Sequence, residues 1–374
     1  MDVENGFTKD LLGKRVLLVE LQPYHGLMLD PLTEALAKTG ASVDLFTNHH
    51  HKKFQSLPLN TQRVLKWKTM RSRLIWFLSN RFPRIFSKYI QRKKYDVVVW
   101  SSLDRQSLRV AKYITSPQLG IVHEWRNEFR TLPEVLDIVA RPDCSIFSIG
   151  KHIKSPGIDS YFLPYHITGF DPTSRTRSQE MAVIGNYQQS RRDYDLLFST
   201  MKTLTEEPNI PKVSILAHST SGDIQLGIDT VASMGLEDDI HFKYSDQLHS
   251  EVEYHETCAQ STFCLPLLDD ERYDSYRTTR VSGTLSKIFN CELIPIIDNE
   301  TAASWSLDES IAIIYEKGEL ASTIMNIAQI PPAQIEAMQK KIRHTRLIDF
   351  ENSVANLTRS ILAVSYTHLR AHET

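Results

Sequence analysis

The sequence predicts an α/β fold of two similar halves, each a doubly wound sheet of parallel strands. Three observations predict it. Short β-rich runs alternate with helix-spaced segments along almost the whole chain. The runs are continuously apolar, as strands buried on both faces must be. The alternation is interrupted once, by the polar stretch Gly169-Phe-Asp-Pro-Thr-Ser-Arg-Thr-Arg-Ser178, and then starts again.

The elements follow in order. The run Arg15–Glu20 is the first strand, and a Gly-containing loop with His25 follows it. A helix over 31–39 closes at Gly40, which serves as its C-cap. Further apolar runs at 42–46, 96–100, 119–123, 144–149 and 161–163 complete the first half. After the linker, 181–184 is a strand ending at Gly185. Tyr194, Leu197, Phe198, Met201 and Leu204 then mark a helix by their i, i+3, i+4 spacing. Strands are expected at 213–217, 240–242, 262–265, 294–297 and 311–314, and a helix from 331 to about 363. The division is a first domain over 12–170, a second over 178–345, and a final helix over 346–363. The last residues, 364–374, read VSYTHLRAHET and resemble a translated adapter scar, so they are left out of the fold prediction.

Composition narrows the classes. A chain of 374 residues with 41% hydrophobic and 24% charged residues is neither disordered, collagenous nor coiled coil. No apolar run of about 18 residues predicts a membrane span, and the polar start lacks the apolar core of a secretory signal. Cys144, Cys258, Cys264 and Cys291 form no CxxC pair. They read as reduced thiols in a cytoplasmic chain, not as a zinc site or a disulfide frame.

The net charge of −2 conceals an asymmetry. Between Asp44 and Asp96 there are 13 lysines and arginines and no acidic residue, which leaves −15 for the remainder. Such a segment faces something anionic. Within it, apolar residues at 74, 77, 78, 82, 85, 86 and 89 predict a basic amphipathic helix, kinked at Pro83. One reading lays residues 61–94 on an anionic membrane surface, at its inner face. The plainer one is a core-facing helix with a solvated basic side. No nucleic-acid module surrounds the segment, so no nucleic-acid partner is expected. His49-His50-His51 lacks metal-ligand spacing and reads as solvated loop.

Two segments of the second half suit an anion. In Gly185-Asn-Tyr-Gln-Gln-Ser190, a strand runs into a helix. Ser190 is expected as N-cap, with Arg191 and Arg192 in the first turn. Arginines there oppose the helix dipole unless a phosphate lies between them. The plainer reading has Asp193 and Asp195 neutralising them. The second segment runs from Asp269 to Thr284, where Ser282-Gly283-Thr284 opens a helix. Its N–H groups and hydroxyls suit a phosphate, with Arg277 and Arg280 close by. Tyr273 or Tyr276 is placed to stack on a base. The plainer reading is a solvated turn with a Ser/Thr cap.

Together these residues resemble the GT-B glycosyltransferases, over the whole chain as architecture and over about residues 180–350 as sequence. Met181-Ala-Val-Ile-Gly-Asn-Tyr-Gln-Gln-Ser-Arg-Arg192 resembles the family's opening strand, glycine turn and basic residues. Gly235-Leu-Glu-Asp-Asp-Ile-His-Phe242 resembles its loop and short strand. Gln260-Ser-Thr-Phe-Cys-Leu-Pro266 is similar to a run in exostosin-like transferases. Arg280, Ser282-Gly283 and Leu293-Ile-Pro-Ile-Ile297 resemble the donor-site helix and following strand, and Gly120-Ile-Val-His-Glu124 is similar to a strand-end His-Asp pair of many members.

The resemblance implies two Rossmann-like domains facing a central cleft. It implies a UDP- or GDP-linked sugar donor held by the second domain and a polysaccharide, glycan or lipid-linked acceptor held by the first. It also implies hexosyltransferase chemistry without a metal or other cofactor, and a last helix that crosses back. Gly185, Asn186, Arg191, Arg192, Tyr273, Arg277, Arg280, Ser282, Gly283 and Thr284 are the expected donor-binding residues. His25, His123 and Glu124 are the candidates for a catalytic base. One departure stands out. Retaining members usually carry an acid early in the donor helix, where this chain reads Ser286-Lys-Ile-Phe289, with Glu271 upstream. Retention and inversion both stay open. So do a GT-B-like scaffold without catalysis and a sugar-nucleotide epimerase. A dehydrogenase is disfavoured because neither first-strand loop contains GxGxxG.

Overall fold

In a computed structural model the described residues are 10–22, 28–48, 64–165, 171–174, 177–185, 187–217, 222–244, 251–268 and 271–373. They form two compact units: residues 1–169 with 349–374, and residues 170–348.

Unit 1 holds β1 (Arg15–Glu20), α1 (Leu29–Lys38), β2 (Ser42–Asn48), β3 (Val64–Met70), α2 (Ser72–Arg81), α3 (Pro83–Ile90) and β4 (Val97–Trp100). It continues with α4 (Arg105–Ala111), β5 (Gln118–Val122), α5 (Asn127–Arg130), α6 (Pro133–Val139), β6 (Cys144–Ser148) and β7 (Ser160–Tyr161). The strands pair in parallel in the order β3-β2-β1-β4-β5-β6-β7. Buried on both faces, β1 and β4 read Val16-Leu-Leu-Val19 and Val97-Val-Val-Trp100.

Unit 2 holds β8 (Ser178–Ile184), α7 (Tyr194–Leu204), β9 (Val213–Ala217), α8 (Gly222–Ser233), β10 (Ile240–Tyr244), α9 (Glu251–Cys258) and β11 (Ser261–Cys264). Then come α10 (Ser275–Thr278), α11 (Gly283–Cys291), β12 (Ile294–Asp298), α12 (Asn299–Trp305), β13 (Ile313–Tyr315) and α13 (Leu320–Ile327). Its sheet, also parallel, runs β10-β9-β8-β11-β12-β13. The fold class is therefore as the sequence predicts: α/β, with two doubly wound parallel sheets. In each unit the winding reverses beside the first strand, at β1/β4 and at β8/β11. The crevice at the carboxyl ends of such a pair is where α/β sheets bind ligands.

The last helix, α14, spans Pro332–Glu373. Its early turns belong to unit 2, where Arg343 donates from Nε and Nη2 to the buried Glu292 carboxylate at 2.9 and 2.8 Å. From Asp349 on it belongs to unit 1, where Ser353 Oγ accepts from Leu163 N at 2.9 Å. The helix runs through the excluded tail, and Val364 and Ser365 are buried. No glycine or proline after Pro332 supplies a stop.

The basic segment departs from the expected single kinked helix in two ways, and its apolar stripe is not the core-facing one of the plainer reading. Residues 64–70 form an edge strand, β3, paired with β2. Its Lys66 and Lys68 alternate with apolar residues, a pattern that protects a sheet edge. The expected kinked helix is instead two helices broken at Phe82, whose φ is −136° and ψ 49°. Pro83 lacks an N–H and pushes the residue before it out of helical geometry, and it then serves as the first residue of α3. Finally, most of the apolar stripe faces outward. Leu74, Phe77, Phe82, Ile85 and Tyr89 are exposed, and the unit packs through Ile75, Phe86 and Ile90.

Candidate functional site: a buried arginine at the unit 2 switch point

At the end of β8, Gly185 has φ +117°, a conformation L side chains rarely adopt. The expected N-cap at Ser190 is corrected here. Helix α7 starts at Tyr194, and Asp193 caps it by accepting from Leu196 N at 3.0 Å. The arginines therefore precede the helix, because the aspartate, not the serine, offers an acceptor to the first-turn N–H groups.

Arg192 folds back under the strand end and is only 7% exposed. Its Nη2 donates to the Ile184 carbonyl and, at 2.6 Å, to Thr284 Oγ1. Thr284 Oγ1 also donates to the Ile184 carbonyl at 3.2 Å. Thr284 lies in the first turn of α11, which Ser282 caps by accepting from Thr284 N at 3.3 Å. Gly185, Arg192 and Ser282-Gly283-Thr284 thus meet in one place, where β8 ends beside the start of α11. The Nε of Arg192 has no hydrogen-bond partner, and no carboxylate pairs with its guanidinium among the described residues. A buried charge without a counter-ion is costly. The helix start beside it presents N–H groups and the positive end of a dipole, which raises that cost further. An anion offsets both.

Other expected donor residues have different neighbours. Arg277 has its donors engaged by the protein itself. It donates to Asp298 Oδ1 at 3.1 Å, Glu300 Oε2 at 3.0 Å, Thr301 Oγ1 at 2.8 Å and the Leu268 carbonyl at 2.5 Å. Its fork is filled by the α12 N-terminus. Tyr273 is buried and donates to the Gln189 carbonyl at 3.0 Å, so its ring supports the loop instead of lying open to a base. Arg280 lies 5.1 Å over the Tyr276 ring. Arg191 is half-buried, and Gly283 has open space around its Cα. Asn186 lies outside the described residues. Lys287, in the neighbourhood where retaining members carry an acid, is buried and donates to His255 Nε2 at 2.8 Å.

Unit 1 places a second polar cluster at its own switch point. His123 follows β5, with Nε2 3.2 Å from the Ser101 carbonyl and 3.0 Å from Ser102 Oγ. The carbonyl can only accept, so the ring proton sits at Nε2 and the lone pair at Nδ1. Burial, partly offset by the bond to Ser101, lowers the His123 pKa from 6.5 to about 4, so the ring is neutral at pH 7. Glu124 forms an ion pair with Arg126 Nε. His25 lies outside the described residues.

Glu20, absent from the expected site, is fully buried at the end of β1. Its Oε1 accepts from Gln22 N at 2.6 Å, and its Oε2 lies 2.7 Å from Ser101 Oγ. Burial raises its pKa to about 7 against the pull of those bonds. Ser101 Oγ faces two acceptors, Glu20 Oε2 at 2.7 Å and the Val19 carbonyl at 3.0 Å, so its one proton serves the carboxylate when Glu20 is ionised and is free for the carbonyl when Glu20 is protonated. A lone acid closing an apolar strand was the signal for it in the sequence.

No protein-family model and no curated protein sequence matches this chain. Solved structures do. A glycosyltransferase from Rickettsia africae ESF-5 matches with a TM-score of 0.61 at 13% identity, over 95% of this chain and 98% of that one. Anabaena HepE, solved with UDP-glucose, matches at 0.60 and 10% identity, over 94% and 99%. The UDP-GlcNAc 2-epimerase of Methanocaldococcus jannaschii matches at 0.52 and 13%, over 85% and 92%. With two doubly wound units and this likeness along nearly its whole length, the chain has the GT-B glycosyltransferase fold.

Proposed function

We propose that the chain is a glycosyltransferase that moves a hexosyl unit from a UDP- or GDP-linked sugar to a polysaccharide, glycan or lipid-linked acceptor. The observation that carries this is Arg192: a buried guanidinium with no counter-ion among the described residues, beside Gly185 and the start of α11. Transfer breaks the bond between the anomeric carbon and the diphosphate, and negative charge grows on the departing group. Preorganised N–H groups and cations that meet this charge lower the barrier most. Arg192 and the Ser282-Gly283-Thr284 turn supply them, with Arg191 and Arg280 nearby in the sequence. Fixed cations take the part a divalent metal plays elsewhere, so we assign a metal-independent reaction.

In unit 1 we assign the acceptor. Its hydroxyl oxygen forms the new bond to the anomeric carbon and loses a proton to a base. His123 is the candidate, because its ring is neutral at pH 7 and has a lone pair. The outward apolar and basic face of α2 and α3 supports an acceptor presented at an anionic membrane surface.

Thermal shift with a panel of nucleoside diphosphates and their sugars tests the donor site. A rise with UDP or GDP is expected, since a ligand of the native state stabilises it. No shift with any of them overturns the donor site. A shift without turnover of the sugar nucleotide supports a binding scaffold instead. Conversion to an isomeric sugar nucleotide with no acceptor present supports an epimerase.

A further inference from the structure

Beside α3, unit 1 holds a cavity of about 670 Å³, within the range of small-molecule sites. Arg84, Lys88, Lys93, Lys94 and Lys112 line it, and no carboxylate does among the described residues. Its wall is tied together by Gln91, which donates to Ser116 Oγ at 3.0 Å and accepts from Thr115 N at 3.3 Å. The carboxyl ends of α3 and α4 approach this wall, and cations near such ends offset helix dipoles. Two helix ends amount to roughly one negative charge. Lys93 is partly matched by Asp44, at 2.7 Å. Arg84, Lys88 and Lys94 form no ion pair among the described residues. The cations therefore exceed what the helix ends and Asp44 compensate, and the excess surrounds empty space.

The neighbouring face of the same helix is apolar and open. Ile85 follows Arg84 and is 64% exposed, and Tyr89 follows Lys88. On α2, Trp76 is 63% exposed beside Phe77. Apolar side chains of this size, ringed by cations and free of acids, match a lipid interface in both shape and charge. A water-soluble anion would use the cations and leave the apolar side chains without a role.

We propose that this cavity binds the phosphomonoester head group of an anionic membrane lipid, while Trp76, Phe77 and Ile85 enter the surrounding interface. The cavity rests on the membrane reading above, and it adds a selectivity that a basic surface alone lacks. A surface attraction follows charge density. A cavity lined by several cations prefers a terminal phosphate dianion over a phosphodiester, because the dianion carries more charge into the same small volume.

Vesicle co-sedimentation separates these. Phosphatidylcholine vesicles carrying phosphatidic acid, or phosphatidylglycerol adjusted to equal zeta potential, are compared with the full chain. About tenfold stronger binding to phosphatidic acid is expected. In Lys88→Gln/Lys94→Gln/Lys112→Gln that ratio should fall to near one, and in Lys94→Gln alone it should fall part-way. Melting temperatures should change little, because these side chains are exposed and the loss of helix-end attraction is set against relief of repulsion among the cations. In Trp76→Ser/Ile85→Ser both bindings should weaken with the ratio kept. Binding without head-group preference, or a ratio unmoved by the lysine substitutions, overturns the cavity alone. Binding to no vesicle overturns the membrane reading and the cavity with it. A melting shift with glycerol 3-phosphate and no vesicle preference overturns the lipid in favour of a free phosphate ester.

Discussion

Replacing Glu20 with glutamine should change how stability depends on pH, in a direction opposite to the usual carboxylate. Its pKa rises from 4.5 to about 7 on folding. Below pH 4.5 both states hold the proton, and nothing is gained or lost. Between 4.5 and 7 the folded state holds a proton that the unfolded chain releases. Stability therefore falls as pH rises through this window, by about 1.4 kcal/mol per unit and about 3 kcal/mol in total. His123 works against this. Its pKa falls from 6.5 to about 4, so its contribution is complete above 6.5 and is lost as pH drops to 4. From 4.5 to 6.5 the two slopes nearly cancel, and the wild type hides both. Glutamine reproduces the protonated acid, with its amide N–H in place of the carboxyl proton toward Ser101 Oγ and its carbonyl accepting from Gln22 N. Glu20→Gln should match the wild type near pH 4.5 and exceed it by about 3 kcal/mol at pH 8. In urea unfolding this is a midpoint shift of about 1 M. His123→Gln should instead gain relative to the wild type at pH 4 and match it at pH 8. Curves for Glu20→Gln and wild type that run parallel from pH 4.5 to 8 would refute the buried, protonated carboxyl.

Three further substitutions separate binding from support. Arg192→Lys keeps the charge but loses the planar fork, and should weaken UDP or GDP binding by about 1.5–3 kcal/mol in calorimetry; equal affinity would remove it from the site. Gly185→Ala combines a φ of +117° with a Cβ only 3.0 Å from Arg192 Nη2. It should cost about 1–3 kcal/mol of stability and also lower nucleotide affinity, and a neutral outcome by both measures would contradict the packed strand end. Arg277→Gln leaves the buried Asp298 carboxylate without its guanidinium and should destabilise by about 3–5 kcal/mol, with nucleotide affinity unchanged in the folded fraction; weakened nucleotide binding would return Arg277 to the donor site.

Much of the fold was legible because a parallel strand buried on both faces writes itself as a continuous apolar run. β1, β4, β9 and β12 stand out this way. The edge was harder. β3 alternates lysines with apolar residues because only one neighbour covers it, so it merged with the basic helix region that follows. Periodicity also failed to say which way a stripe faces. Residues 74, 77, 82, 85 and 89 have helical spacing, but the unit packs through 75, 86 and 90. A stripe turned to solvent and a stripe turned to a core read alike in one sequence.

The site shows a similar division. Positions fixed by backbone chemistry were legible: a glycine where φ must be positive, and a Ser-Gly-Thr opening a helix. The roles of the arginines were not, since a guanidinium's role depends on partners far away in sequence. Arg277 and Arg192 are both buried, and both follow from motifs of the same kind. Arg277 finds Asp298 and Glu300, more than 20 residues away, and its charge is compensated. Among the described residues Arg192 donates to a carbonyl and a hydroxyl, 92 residues away in the case of Thr284, and pairs with no carboxylate. Two neutral acceptors recover a few kcal/mol at most against the cost of desolvating a full charge. Arg192 therefore keeps an electrostatic demand that no described carboxylate meets, and Arg277 keeps none. On the proposed function, Arg192 is then the buried arginine that contributes net positive potential to the departing diphosphate.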